Sequence, residues 1–137
     1  MSKLKINLSR SNVYAKKVVS LEIEETAGYQ VCIDTPEGRY IHNYVYESHK
    51  ECVAKTRVMR RTSMLNKGIL EIQPQYWSEP QTFDFMALTM ASKKQVNYIS
   101  KLLGIRHDDT QTRAELSMMT NQGASDLIQH LLAVRHN

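Results

Sequence analysis

His107, Asp108 and Asp109 stand in succession, an imidazole beside two carboxylates, the side-chain types that hold a metal ion or move protons. Consecutive residues in a loop seldom converge on one ion, and no further ligand stands at a telling spacing. The simpler reading is a solvated turn whose acids precede a helix. Cys32, His42, His49 and Cys52 form a second set, of zinc-binding types. Only His49 and Cys52 are close enough to resemble a ligand pair, whereas structural zinc normally uses tight pairs at both ends. Buried free cysteines, one in a strand and one in a helix, fit better. There is no Gly-rich phosphate loop, no Gly-x-x-x-x-Gly-Lys and no His-Glu-x-x-His. The expectation is a protein that is not an enzyme and calls for no metal and no cofactor.

The strongest local feature is charge. Between Ser48 and Lys67 lie six basic residues, Lys50, Lys55, Arg57, Arg60, Arg61 and Lys67, against one acid, Glu51. That segment carries +5, the whole 137-residue chain only +4. On a helix, Lys50, Arg57, Arg60 and Arg61 fall in a sector of roughly 100°, away from Cys52, Met59 and Leu65. One face can pack while the other presents a cationic stripe. A phosphate backbone rewards such a stripe by releasing counterions, so binding would be salt-sensitive. The plainer alternative is a solvated face whose long stems cover apolar surface. Lys93 and Lys94 form a smaller cationic pair.

Tyr40, His42, Tyr44 and Tyr46 share one face of an expected strand. A row of aromatics can stack unpaired bases, which makes Tyr44 and Tyr46 candidate nucleic-acid contacts. Tyr can equally face a core with its hydroxyl at the rim, and that role is favoured. Tyr76 and Trp77 are candidate protein-interface anchors, because interface centres favour Trp, Tyr and Arg.

The elements that must position these groups follow from periodicity. Lys17 to Glu25 alternates, with Val19, Leu21 and Ile23 on one face, as a half-buried strand does. Ala27-Gly28 is expected to turn the chain into a strand over Tyr29 to Asp34. Thr35-Pro36-Glu37-Gly38 suits a hairpin loop before a third strand, Arg39 to Tyr46. Ser48, with Glu51 three residues on, caps a helix to Asn66 whose packed face is Cys52, Met59, Thr62 and Leu65 with Val58; Gly68 ends it. Ile69 to Ile72 reads as a fourth strand. Pro74 and Pro80 flank an aromatic stretch. Ser92 with Gln95 opens a helix that Gly104 stops, Thr112 with Glu115 opens a short one, and Thr120 caps the last, striped by Ala124, Leu127, Ile128, Leu131 and Leu132.

The expected class is α+β, an antiparallel β-β-β-α-β N-terminal half followed by a small three-helix C-terminal module. Residues 1–73 hold the sheet and basic helix, 74–91 a Pro-flanked connector with anchors Tyr76, Trp77, Phe83, Phe85 and Met86, and 92–137 the helical module. The module is too small for independent stability and should pack on the first half through the Trp77 segment. With 42% hydrophobic and 23% charged residues the chain is neither disordered nor fibrous. Met1 to Leu8 holds no export-length apolar run, and no stretch approaches the roughly 20 residues that span a bilayer. With only two cysteines, the expectation is a soluble cytoplasmic protein with free thiols and no membrane partner.

Ala91-Ser92-Lys93-Lys94-Gln95, Tyr98-Ile99, Leu102, Met119-Thr120, Ala124-Ser125, Leu127-Ile128 and Leu131 resemble a small helical module of uncharacterised phage and bacterial proteins. Its order is Lys-Gln, Tyr-Ile, Thr, Ala-Ser, Leu-Ile; Gly123 stands where the pattern more often has an acid. Leu102 to Ile105 with Thr112 to Leu116 is similar to a SAP-type DNA-binding helix pair. Gly28 to Trp77 is similar to another phage-type pattern. The resemblance implies a mobile-element origin and carries over no catalytic residue. The expected function is a non-enzymatic phage- or prophage-type nucleic-acid-binding protein using Lys50, Arg57, Arg60 and Arg61, with Lys93 and Lys94 secondary. The alternative is a protein-binding regulator or inhibitor of a host or defence enzyme. The exposed faces of the sheet and last helix could support a homodimer.

Overall fold

In the computed structural model, residues 3–22, 25–84 and 88–135 are described. The chain runs β1 (Leu4–Asn7), a 3-10 turn (Leu8–Arg10), β2 (Asn12–Val19), β3 (Thr26–Thr35), β4 (Gly38–Ile41), α1 (His49–Met64), β5 (Ile69–Ile72), a second 3-10 turn (Pro74–Tyr76), α2 (Lys93–Leu103), α3 (Thr110–Ser117) and α4 (Asn121–Arg135). The α+β class stands, with antiparallel strands first and three helices last. The β-β-β-α-β order gains a strand at its start. That strand, β1, pairs antiparallel with β5, while β2, β3 and β4 form a separate three-stranded sheet. Leu4, Ile6 and Leu8 alternate as a strand does, but so short a strand exists only through its distant partner.

The alternation at Lys17 belongs to the tail of β2, not to a strand reaching Glu25. Ser20 N–H donates to the Glu25 carbonyl at 2.9 Å, and Leu21 is 94% exposed at the turn. Ala27 and Gly28 lie inside β3 and do not turn the chain; Ile23 and Glu24 fall outside the described residues. The Thr35–Gly38 hairpin forms as expected. The Thr35 hydroxyl donates to the Gly38 carbonyl at 2.9 Å and accepts from the Glu37 and Gly38 N–H groups. The third strand is shorter than its composition suggests. It leaves the ladder after Ile41, touches Trp77 through His42, and returns where Tyr29 and Tyr46 exchange backbone bonds of 2.8 and 2.7 Å.

Ile6, Leu8, Val13, Val31, Ile33, Cys52, Met59, Leu70 and Ile72 form the first core, between α1 and the two sheets. A fully buried chain such as Ile33 stabilises the fold by about 1.5–3 kcal/mol. A second core joins Val96 and Ile99 of α2, Leu116 of α3 and Ala124 of α4. Ser92 and Gln95 complete the capping box of α2, and Gly104 ends it with a φ of 71°. The cap of α3 is Asp109, three residues before the expected Thr112; it accepts from Thr112 N–H at 3.1 Å. Asp109 is the stronger cap because a carboxylate also favours the positive end of the helix.

The helical module docks on the first 3-10 turn and the adjoining Ser11, not through the Trp77 segment. The Thr120 hydroxyl donates to the Ser11 carbonyl at 3.1 Å, and Gly123 lies against the Ser9 backbone. Trp77 instead packs on the first core. Phe83 lies 5.2 Å from the Arg39 guanidinium, and Phe85 and Met86 fall outside the described residues. Among the described residues no helix is long and apolar enough to cross a membrane.

Candidate anion-binding cleft

The orientation of α1 sets the site. Its buried stripe is Cys52, Thr56, Met59 and Ser63, spaced four, three and four residues apart. Thr62 and Leu65, expected on the packed face, are exposed, Leu65 by 81%, and Val58 is exposed by 53%. Small residues decide this. The Thr56 and Ser63 hydroxyls donate to the Val53 and Arg60 carbonyls of their own helix, so both bury at low polar cost and let the helix approach the sheet closely.

That rotation brings Arg60 to the edge of the core. Its Nη1 donates to the Asp126 carboxylate on α4 and its Nη2 to the Val13 carbonyl on β2, with side-chain exposures of 16% for Arg60 and 18% for Asp126. Arg60 therefore clamps three elements. Arg57 and Arg61, on the outer flank, are exposed and make no ion pair with any described residue.

Between β2, α1 and α4 opens a cleft of about 770 Å³. Arg57, Arg60 and Arg61 line one wall with His49, and Gln122, Asp126, Gln129 and His130 line the other; Val13, Tyr14 and Ala15 form the floor. Asp126 is the one carboxylate in this lining, and Arg60 already binds it. The arrangement can hold an anion by charge and by neutral donors, where field lines concentrate in a concave wall.

The structure brings together Arg57, Arg60 and Arg61 from the expected stripe. Lys50 is exposed on α1 outside the cleft lining, and Lys93 and Lys94 are exposed at the start of α2, away from it. Tyr44 is 58% exposed, whereas Tyr46 packs on the core. Their rings meet edge to face at 4.6 Å, and burial raises the Tyr46 hydroxyl pKa. Tyr76 is half exposed; Trp77 meets His42 edge-on at 4.8 Å. Gln122, Asp126, Gln129 and His130 were missed by motif reading. Their spacing of four, three and one is a polar helical stripe, a signal that the apolar stripe of the same helix obscures.

The other candidate clusters have structural roles. Asp109 caps α3, and hydrogen bonds from the Thr112 hydroxyl and N–H hold its carboxyl below the ordinary range. Asp108 lies 3.4 Å from Arg106 at the surface. Cys32 and Cys52 are free and fully buried, and His49 rests its ring on Tyr29 at 5.1 Å. On the far side of the sheet, buried Asp34 accepts from Arg39 at 2.7 and 3.2 Å.

No protein-family model, no curated protein and no solved structure matches the chain.

Proposed function

We propose that this is a non-enzymatic nucleic-acid-binding protein that grips phosphate groups with Arg57 and Arg61 at the mouth of the cleft. One observation carries the reading: two exposed arginines, one helical turn apart and without an ionic partner among the described residues, border a cleft whose carboxylate is already neutralised. Guanidinium groups match phosphate in both charge and planar donor geometry. The cleft supplies cations, imidazoles and amides, all of them groups that contact phosphate oxygens.

The test is fluorescence anisotropy with labelled oligonucleotides at low ionic strength. Wild type should bind, with log Kd varying linearly with log salt. Arg57→Glu with Arg61→Glu should abolish binding and leave the fold intact. Arg60 is kept in that variant because its loss would unclamp α4. No binding by wild type at low salt refutes the reading.

A regulator of a host or defence protein is the second reading. It is favoured by a groove of about 240 Å³ on the opposite flank of α1, lined by Val58, Met59, Leu70, Ile72 and Trp77. A pull-down from host lysate, with and without nuclease, separates the two. A partner retained after nuclease treatment supports regulation.

A further inference from the structure

In an antiparallel ladder, each residue turns both its N–H and its C=O to the same side. Tyr29 exchanges bonds with Tyr46, and His42 N–H donates to the Val31 carbonyl at 2.9 Å. Tyr29 and Val31 thus point toward the β4 side. Gln30 and Cys32 between them must bond β2, through their register partners Lys16 and Tyr14. It follows that Val13 and Ala15 aim their backbone groups away from the sheet. The Arg60 bond to the Val13 carbonyl agrees with that direction. Val13 N–H and both backbone groups of Ala15 then have no hydrogen-bond partner among the described residues, and both residues line the cleft.

A strand edge left open usually invites a further strand. Here the run is too short for one. Arg60 occupies the Val13 carbonyl at one end, and β2 bulges at Val18/Val19 at the other. Inside the cleft, what remains is a donor and an acceptor side by side on Ala15, with a second donor at Val13; Lys17, the next residue of the same parity, turns its pair outward beyond the lining. That pattern complements the Watson–Crick edge of a nucleobase. The cleft volume of about 770 Å³ lies within the roughly 300–1,000 Å³ of small-molecule sites. His49 and His130 line the cleft beside Arg57 and Arg61, whose guanidinium groups suit the flanking phosphates. A duplex cannot use the site, because its base edges are paired and stacked inside; only an unpaired nucleotide can present them.

We infer that the cleft binds single-stranded nucleic acid, with one unstacked base read by the open edge of β2 at Val13 and Ala15 while Arg57 and Arg61 hold the adjoining phosphates. The inference rests on the nucleic-acid reading above and adds the strandedness of the ligand and the group that reads it.

The experiment compares a labelled single-stranded oligonucleotide, the same strand in a duplex, and an abasic strand of equal length, each with wild type and with Ala15→Pro. Proline removes an N–H that the β2–β3 ladder does not use, and edge strands tolerate it. Wild type should prefer the intact single strand over the other two by about tenfold. Ala15→Pro should erase that preference and keep the residual phosphate binding. Should that variant not fold, the comparison of three ligands on wild type decides by itself. Equal affinity for all three overturns the base-reading inference and leaves phosphate binding standing. No binding to any of them removes both. Polyglutamate bound as tightly as the single strand, and lost in Ala15→Pro, assigns the edge to a peptide and also overturns the inference.

Discussion

Gly123, in the first turn of α4, lies directly against the backbone of Ser9, and a β-carbon there would overlap the Ser9 carbonyl. With the Thr120 hydroxyl on the Ser11 carbonyl, this contact seats the helical module on the N-terminal half. Gly123→Ala sets two effects against each other. Alanine is the better helix former by about 1 kcal/mol. Backbone overlap costs more, because neither main chain can move aside, so a net loss of about 1–3 kcal/mol is expected. Chemical denaturation measures it, and an unchanged or raised midpoint would contradict the docking.

His42 is a pH-dependent element beside a reporter. Its Nδ1 accepts from the Tyr44 N–H at 3.2 Å, which requires a neutral ring, and it packs edge-on against Trp77. Burial, then the charge of Lys55, lowers its pKa below the ordinary 6.5. The unfolded chain therefore takes up this proton before the folded one does. The contribution is fully present above pH 6.5 and is lost as pH falls through the lower folded value. Trp77 is the chain's single tryptophan. Its emission should change reversibly on acidification with a midpoint below 6.5, and His42→Phe should remove the step. A midpoint at or above 6.5 would contradict the burial.

Cys32 and Cys52 should be inert in the native state. Both are fully buried, and burial raises both thiol pKa values, so little nucleophilic thiolate exists at neutral pH. A chromogenic disulfide reagent should label neither thiol in native protein and both in denaturant. Rapid stoichiometric labelling of native protein would show that one of them reaches solvent.

Local chemistry made much of the fold legible. The Thr35–Gly38 hairpin, the Ser48 cap of α1 and the capping box of α2 depend on neighbours within four residues, and each formed where its residues stand. β1 was not legible, because four residues become a strand only when Ile69–Ile72 arrives from the far end of the half. The packed face of α1 was misjudged because counting apolar residues favours Val58 and Leu65, whereas Thr56 and Ser63 bury by satisfying their own hydroxyls. The cationic side of the cleft could be read from one helix. Its other wall could not, since Asp126 meets Arg60 across 66 residues of sequence. No local pattern announces a pairing at that distance.

The Arg60–Asp126 pair makes stability and binding move in opposite directions. Asp126→Asn removes the carboxylate from a mostly buried guanidinium, and the lost charge-assisted bond should cost about 1–3 kcal/mol. Arg60 remains anchored by the Val13 carbonyl, so its charge stays in the cleft without a counter-charge. Affinity for single-stranded oligonucleotides should rise, and the salt slope should steepen by up to about 0.7, the value for one more phosphate on a single strand. Arg60→Met separates the two roles. It should destabilise the protein similarly and weaken binding without steepening the salt slope, because it leaves the Asp126 carboxylate unpaired in the cleft. If Arg60→Met instead flattens the salt slope at unaltered stability, Arg60 is itself a phosphate ligand and the clamp between α1 and α4 is not what holds the cleft in shape.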